Sequence, residues 1–258
     1  MRVALALLVT VTALTVPACA DDGSSSKSEE ARALFSSATT TVDIEIDFGP
    51  GATPYVGGDG LFGNPWRLTR KNLEALFSES PKTIVMDETL ADMEALASAV
   101  GGPDYTVDEL LALADAHRDG MDVAGTKSFY VVFVDGYFAD DEGRQDTVLG
   151  VSIGATGVIA MFKPVIAGTG LLARRVEQTT LLHELGHAFG LVDNGLEPVD
   201  AGHVDREHGA HCTSDQCIMY WQNKVGSNLA AFIAQRVTSE DSLLFDEDCL
   251  DDAHAAAE

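Results

Sequence analysis

Strand-type and helix-type patterns alternate along most of the chain, and a long stretch with neither follows before two short closing helices. Residues 39–48 alternate polar and apolar positions through Val42, Ile44, Ile46 and Phe48, the period of a half-buried strand. Residues 49–63, rich in Gly and Pro, read as loop. Residues 65–77 carry Trp66, Leu68, Leu73, Leu76 and Phe77 at helical spacing. A short strand is predicted over 83–86, and a helix over 89–100, stopped by Gly101-Gly102-Pro103. Thr106 with Glu109 forms a capping-box pair, opening a helix that runs to about residue 118. Residues 128–134 are a dense β-type run, as in a central strand. A charged loop is expected over 135–145, then strands over 148–153 and 157–162. Residues 171–189 predict one long helix that Gly190 ends. Beyond it the chain to about residue 226 is loop-like and rich in His, Asp and Gly, and two short helices near 227–236 and 246–256 close it. This order predicts an α+β fold: a mixed twisted sheet with a long helix, then a small irregular C-terminal part.

Composition narrows the function classes. Of 258 residues, 46% are hydrophobic, enough for one domain with a sizeable core. The formal net charge of -25 repels phosphate backbones and anionic headgroups, which argues against nucleic acid as a partner. Residues 1–18 read as a targeting segment: Arg2, then an apolar run to Val16, too short to span a bilayer. The run ends in Val16-Pro17-Ala18-Cys19, which resembles a bacterial lipobox and implies lipidation at Cys19. Residues 19–38 then read as the lipidated Cys and a flexible, polar tether, and 39–258 as the main domain, divided near 190 and 191. The expected location is extracytoplasmic, at the periplasm or cell surface, with membrane contact through the lipid only and a monomeric body.

The chemistry concentrates in the long helix. His183-Glu184-Leu185-Gly186-His187 sets two imidazoles one turn apart on one helical face, where both can bind one Zn²⁺ at about 2.0–2.1 Å. Glu184 follows the first ligand and projects beside the metal, placed to act as general base and then general acid on an attacking water. By residue frequencies such a pentad arises by chance in on the order of one chain of this length in a hundred.

Residues 183–191, with Gly190 at the helix break, and Cys217-Ile218-Met219-Tyr220, with a methionine turn at Met219, together resemble the metzincin metallopeptidases. That resemblance implies a zincin-like fold, zinc as cofactor, and a peptide or protein as substrate. It also implies a third ligand after the glycine. Snapalysin-like enzymes resemble this chain with Asp193 in that place; archaemetzincins resemble it through His211-Cys212, four residues, then Cys217 and Met219. His211 is the preferred ligand, with Asp193 and His203 as alternatives. Archaemetzincins also carry a later Cys-x-x-Cys completing a second zinc site; only Cys249 stands there here. The expectation is therefore a disulfide joining Cys249 to Cys212 or Cys217. The competing reading is a noncatalytic surface lipoprotein whose zinc serves structure or binding, against which the intact Glu184 argues.

Overall fold

The computed structural model of the protein describes residues 23–58, 63–97, 102–221 and 226–257. The targeting segment and Cys19 lie outside the described residues. In chain order the elements are α1 (Gly23–Phe35), β1 (Thr41–Phe48), α2 (Pro65–Leu76), β2 (Thr83–Met86), β3 (Glu94–Ala95), β4 (Asp104–Tyr105), α3 (Val107–His117), β5 (Thr126–Val134), β6 (Tyr137–Asp140) and β7 (Gly143–Gln145). There follow β8 (Gly150–Ile153), β9 (Val158–Phe162), α4 (Lys163–Gly168), α5 (Ala173–Ala188), α6 (Gly226–Arg236) and α7 (Glu247–Ala255). Among the described residues no helix is long and apolar enough to cross a membrane.

The main sheet has the order β2-β1-β5-β9-β8, with β3 pairing further along β1. All its pairings are parallel except the last, where β8 runs antiparallel to β9 at the edge. β5 lies at the centre, and its residues 128–134 are all buried, which explains the unbroken apolar run. β1 keeps its alternation: Val42, Ile44 and Ile46 are buried, while Asp43 and Glu45 turn to the other face. One sheet face packs Ile44, Val131, Phe133 and Met161 against α1, α2 and α5. The opposite face packs Tyr130, Val132 and Phe162 against Leu110 and Leu113 of α3. The sheet is mixed, as expected, but helices cover both faces of a largely parallel sheet, so the layering is closer to α/β than to the α+β order read from the sequence.

Three expectations give way to the structure. The tether reading of residues 19–38 fails from residue 23 onward, because α1 is a helix that buries Ala31, Leu34 and Phe35. Those positions lie on one helical face, and Phe35 starts an aromatic chain through Phe77 and Phe189 with ring centroids 5.2 and 5.7 Å apart. Residues 89–97 form a turn and the strand β3 instead of a helix, since Glu94 and Ala95 find backbone partners on β1. The loop expected over 135–145 holds the hairpin β6–β7, which β4 joins in a second, three-stranded sheet. Phe138 anchors that sheet in the core. The capping box is present: Glu109 N–H donates to Thr106 Oγ1, and Thr106 N–H donates back to the Glu109 carboxylate.

The C-terminal part is irregular, but it is not a separate hydrophobic body. Phe232, Ile233, Leu244 and Phe245 join the same cluster as α1, α2 and α5.

Candidate metal centre

α5 is the spine of the site. Glu177, two turns before the motif, is wholly buried and pairs with Lys163 at the start of α4; its Oε1 accepts from Tyr55 N–H at 2.6 Å. Burial pushes the Glu177 carboxyl up and draws the Lys163 ammonium down, and their pairing opposes both shifts. The pair ties α5 to the end of β9 and to the loop before α2, fixing the helix against the sheet.

His183 and His187 meet one turn apart, with Nε2 atoms 3.1 Å from each other. His211 closes the group: its ring centroid is 5.4 Å from that of His183 and 4.9 Å from that of His187. His183 Nδ1–H donates to the Ile218 carbonyl at 2.8 Å, and His211 Nδ1–H to the His208 carbonyl at 2.7 Å. A neutral imidazole that donates from Nδ1 keeps its lone pair on Nε2. One ligand atom from each of the three rings falls within 4.8 Å of the other two. Two nitrogens on a tetrahedral zinc lie about 3.3 Å apart, so the measured separation on α5 fits that ion.

Glu184 is buried beside this group, under the sheet edge. A Cβ placed on Gly150 of β8 would sit 3.0 Å from Glu184 Cγ and 2.9 Å from Thr180 Cγ2, so only glycine lets the edge strand lie this close to α5. Gly190 has φ +92°, a value that favours glycine, and its N–H still bonds the His187 carbonyl as the chain leaves the helix. Beneath the motif, Met219 is fully buried, and its Sδ would be 2.4 Å from a Cβ on Gly186.

The structure brings His183, His187 and His211 together and leaves both alternatives out. Asp193 faces solvent, 3.6 Å from Arg206, on backbone with φ +60°. His203 is buried away from the group, its Nε2 2.9 Å from Asp252 Oδ2. That carboxylate raises His203 to about 10.

The expected disulfide is replaced by a different arrangement. Cys212, Cys217 and Cys249 are all buried and none is in a disulfide; Cys217 Sγ is 3.4 Å from Cys249 Sγ, far beyond a bond of about 2.05 Å. Cys212 Sγ is 3.4 Å from Asp246 Oδ2, and the four side chains offer ligand atoms within 4.8 Å of one another. Hydrogen bonds from the Cys217 and Cys249 thiols hold Cys212 well below the usual thiol range, whereas burial raises Cys217. Three sulfurs and a carboxylate make four candidate ligands, the number a structural zinc takes. Asp246 was missed in the sequence because it is not a thiol. The available signal was its spacing: Asp246-x-x-Cys249 keeps the interval of a Cys-x-x-Cys pair.

No protein-family sequence model matches the chain, and no curated protein matches it in sequence. Among solved structures it is similar to the crystal structure of an archaemetzincin from Methanopyrus kandleri, at 13% identity and a TM-score of 0.43, over 85% of this chain and 96% of that one.

Proposed function

We propose that the protein is a zinc-dependent endopeptidase. The observation that carries this reading is the convergence of His183, His187 and His211 with Glu184 at their side, below a sheet edge. Three imidazoles leave a fourth position for water or substrate, the mark of a catalytic rather than a structural site. Zinc bound there supplies Lewis acidity that activates water at neutral pH. His183 and His211 are oriented for this by their Nδ1–H bonds to backbone carbonyls. Glu184 takes the proton of the attacking water and returns it to the leaving amine. β8, antiparallel to β9 and at the end of the sheet, offers its open edge to an extended peptide, which binds by backbone pairing.

The cysteine–aspartate set takes a second, structural zinc in this reading. The lipobox-like run supports export and a lipid on Cys19 as the only membrane contact; the same reading has a peptide or protein as substrate and a monomeric body.

The test is metal content and peptide cleavage measured together in the purified protein and in Glu184→Gln. The expected result is equal zinc in both and a cleavage rate lower by about 10²- to 10⁴-fold in the variant. Equal cleavage in both would remove Glu184 from the chemistry. Zinc in both with cleavage in neither, across a mixed peptide library, would favour the noncatalytic binding lipoprotein.

A further inference from the structure

His211 stands in a stretch without helix or strand, so the regular backbone that aims His183 and His187 is missing for it. On the loop side its Nδ1–H donates to the His208 carbonyl oxygen at 2.7 Å. What holds His208 therefore contributes to the orientation of the third ligand.

Two side chains do. The His208 ring places Nδ1 2.7 Å from Asp205 Oδ2, while Asp205 Oδ1 accepts from the backbone N–H groups of Glu207 at 3.0 Å and His208 at 3.3 Å. Asp205 N–H in turn donates to the His211 carbonyl at 2.7 Å, closing a tight loop around the ligand. On its other side the His208 ring lies flat on the Trp221 indole, with centroids 3.7 Å apart and planes 5° apart. Trp221 belongs to neither hydrophobic cluster and is only half-buried. A large aromatic in that position, outside both clusters, stacked on His208 and tilted 6.2 Å from the Tyr220 ring, has the contacts of a clamp and not of a core residue. It also sits two residues beyond Met219, whose carbonyl accepts from Cys212 N–H at 2.9 Å. The stack thus joins the chain ahead of His211 to the chain beyond the methionine turn.

We infer that Trp221, acting through the stacked His208 and its partner Asp205, is a positioning residue that holds His211 in ligating orientation. The inference rests on the three-histidine reading of the metal site. Without the indole, the 205–210 loop is free to shift, the His208 carbonyl no longer fixes the imidazole, and the third ligand disengages more often. Outer groups that orient a metal ligand typically change affinity by about 10- to 100-fold when removed.

The experiment is a competition titration with a chromophoric zinc chelator on the full chain, for the parent, Trp221→Ala, Trp221→Phe and His183→Ala. His183→Ala reports what the cysteine–aspartate set binds by itself. The expected outcome is an affinity of the histidine site lower by about 10- to 100-fold in Trp221→Ala and restored close to the parent in Trp221→Phe, which keeps a stacking ring. Thermal melting of the metal-free proteins is expected to be the same for both Trp221 variants. Parent-like affinity in Trp221→Ala would overturn the clamp, as would equal losses in the two Trp221 variants. A parent indistinguishable from His183→Ala would instead remove the three-histidine site, and the clamp with it.

Discussion

The residues up to Phe189 and those from Gly190 onward solve the same problem by different means. In the first region buried backbone is paired in a sheet and in helices, and the buried side chains are mostly apolar; β5 alone buries seven consecutive residues. In the second, residues 190–221 contain no element longer than a 3-10 turn, yet His203, His211, Cys212, Cys217 and Met219 are buried there. Polar groups inside a fold cost free energy unless they are partnered. The partners here are specific: Asp252 holds His203 and the Val199 N–H, and Cys212 N–H reaches the Met219 carbonyl. The three-histidine group proposed as a metal site takes His183 and His187 from the first region and His211 from the second. In the proposed site the regular half would set where an ion sits, and the irregular half would complete its shell.

The widest way to break this comparison is to withdraw metal. A structural zinc contributes up to about 10–16 kcal/mol of apparent binding free energy in peptides that fold around it. Chelation should therefore loosen residues 199–221 and 244–250 by several kcal/mol, about half that range. β5 and β9 should hold, because their stability comes from apolar burial. Amide hydrogen exchange of the chelated protein is the measurement: Cys212, Ile218 and Leu244 are expected to lose protection, while Val131 and Ala160 keep it. Cys249→Ser should produce a similar regional loss with metal present. Uniform loss across both regions would mean that the irregular half is held by the shared core, not by its own ligands.

What could be read from the sequence follows the same divide. The His183/His187 pair was legible because helical period alone puts residues four apart together. β1 and the Thr106–Glu109 cap were legible for the same reason, local rules with local causes. β3 and the β6–β7 hairpin were hidden because their strand character comes from partners distant in sequence: β1 for Glu94, and β4 for Tyr137 and Phe138. α1 was hidden by its polar composition; three apolar positions on one face are enough once a core is there to receive them. His211 was proposed through its resemblance to the archaemetzincin pattern and Asp246 was missed, since nothing periodic governs an irregular segment. The cysteines were visible, but their geometry, and so the choice between a bridge and a metal set, was not.

A smaller effect sharpens the comparison from the regular side. Asp47 is the polar exception on β1: its carboxylate is buried, accepts from Tyr130 Oη at 2.8 Å and from Glu94 N–H at 3.3 Å, and is pushed up to about 6, chiefly by burial. Its folded value lies above its unfolded one near 3.8, so the protonated acid is the form that folding favours. The stabilising contribution is fully present below about pH 3.8 and is lost as pH rises through about 6. Between pH 4 and 7 the parent is expected to lose about 2–3 kcal/mol relative to Asp47→Asn. Urea unfolding of both proteins across that range tests it; parallel pH profiles would mean that the buried carboxylate titrates normally.

The smallest effect lies at the seam between the two regions, where α5 rests on the methionine turn. Gly186 is on the helix between His183 and His187, and Met219 Sδ occupies the space that a Cβ would need, 2.4 Å from its ideal position; Met219 Cε is 3.1 Å away and Phe245 Cε1 3.4 Å. Alanine favours helix over glycine by about 0.8–1 kcal/mol, so on propensity alone Gly186→Ala would stabilise α5. Overpacking of a filled core costs about 1–3 kcal/mol, and here the sulfur is held by a turn whose Ile218 N–H bonds the Leu244 carbonyl at 2.7 Å. A turn so anchored cannot yield cheaply, so the steric term should exceed the propensity gain and leave a net loss of about 1–2 kcal/mol. Pairing the substitution with Met219→Ala, which empties the clash, separates the two terms. The double variant should lie above the sum of the single losses, because alanine at 186 then keeps only its helical advantage. Strict additivity would mean that the helix and the turn beneath it are not in rigid contact, and that the irregular half follows the metal ligands alone.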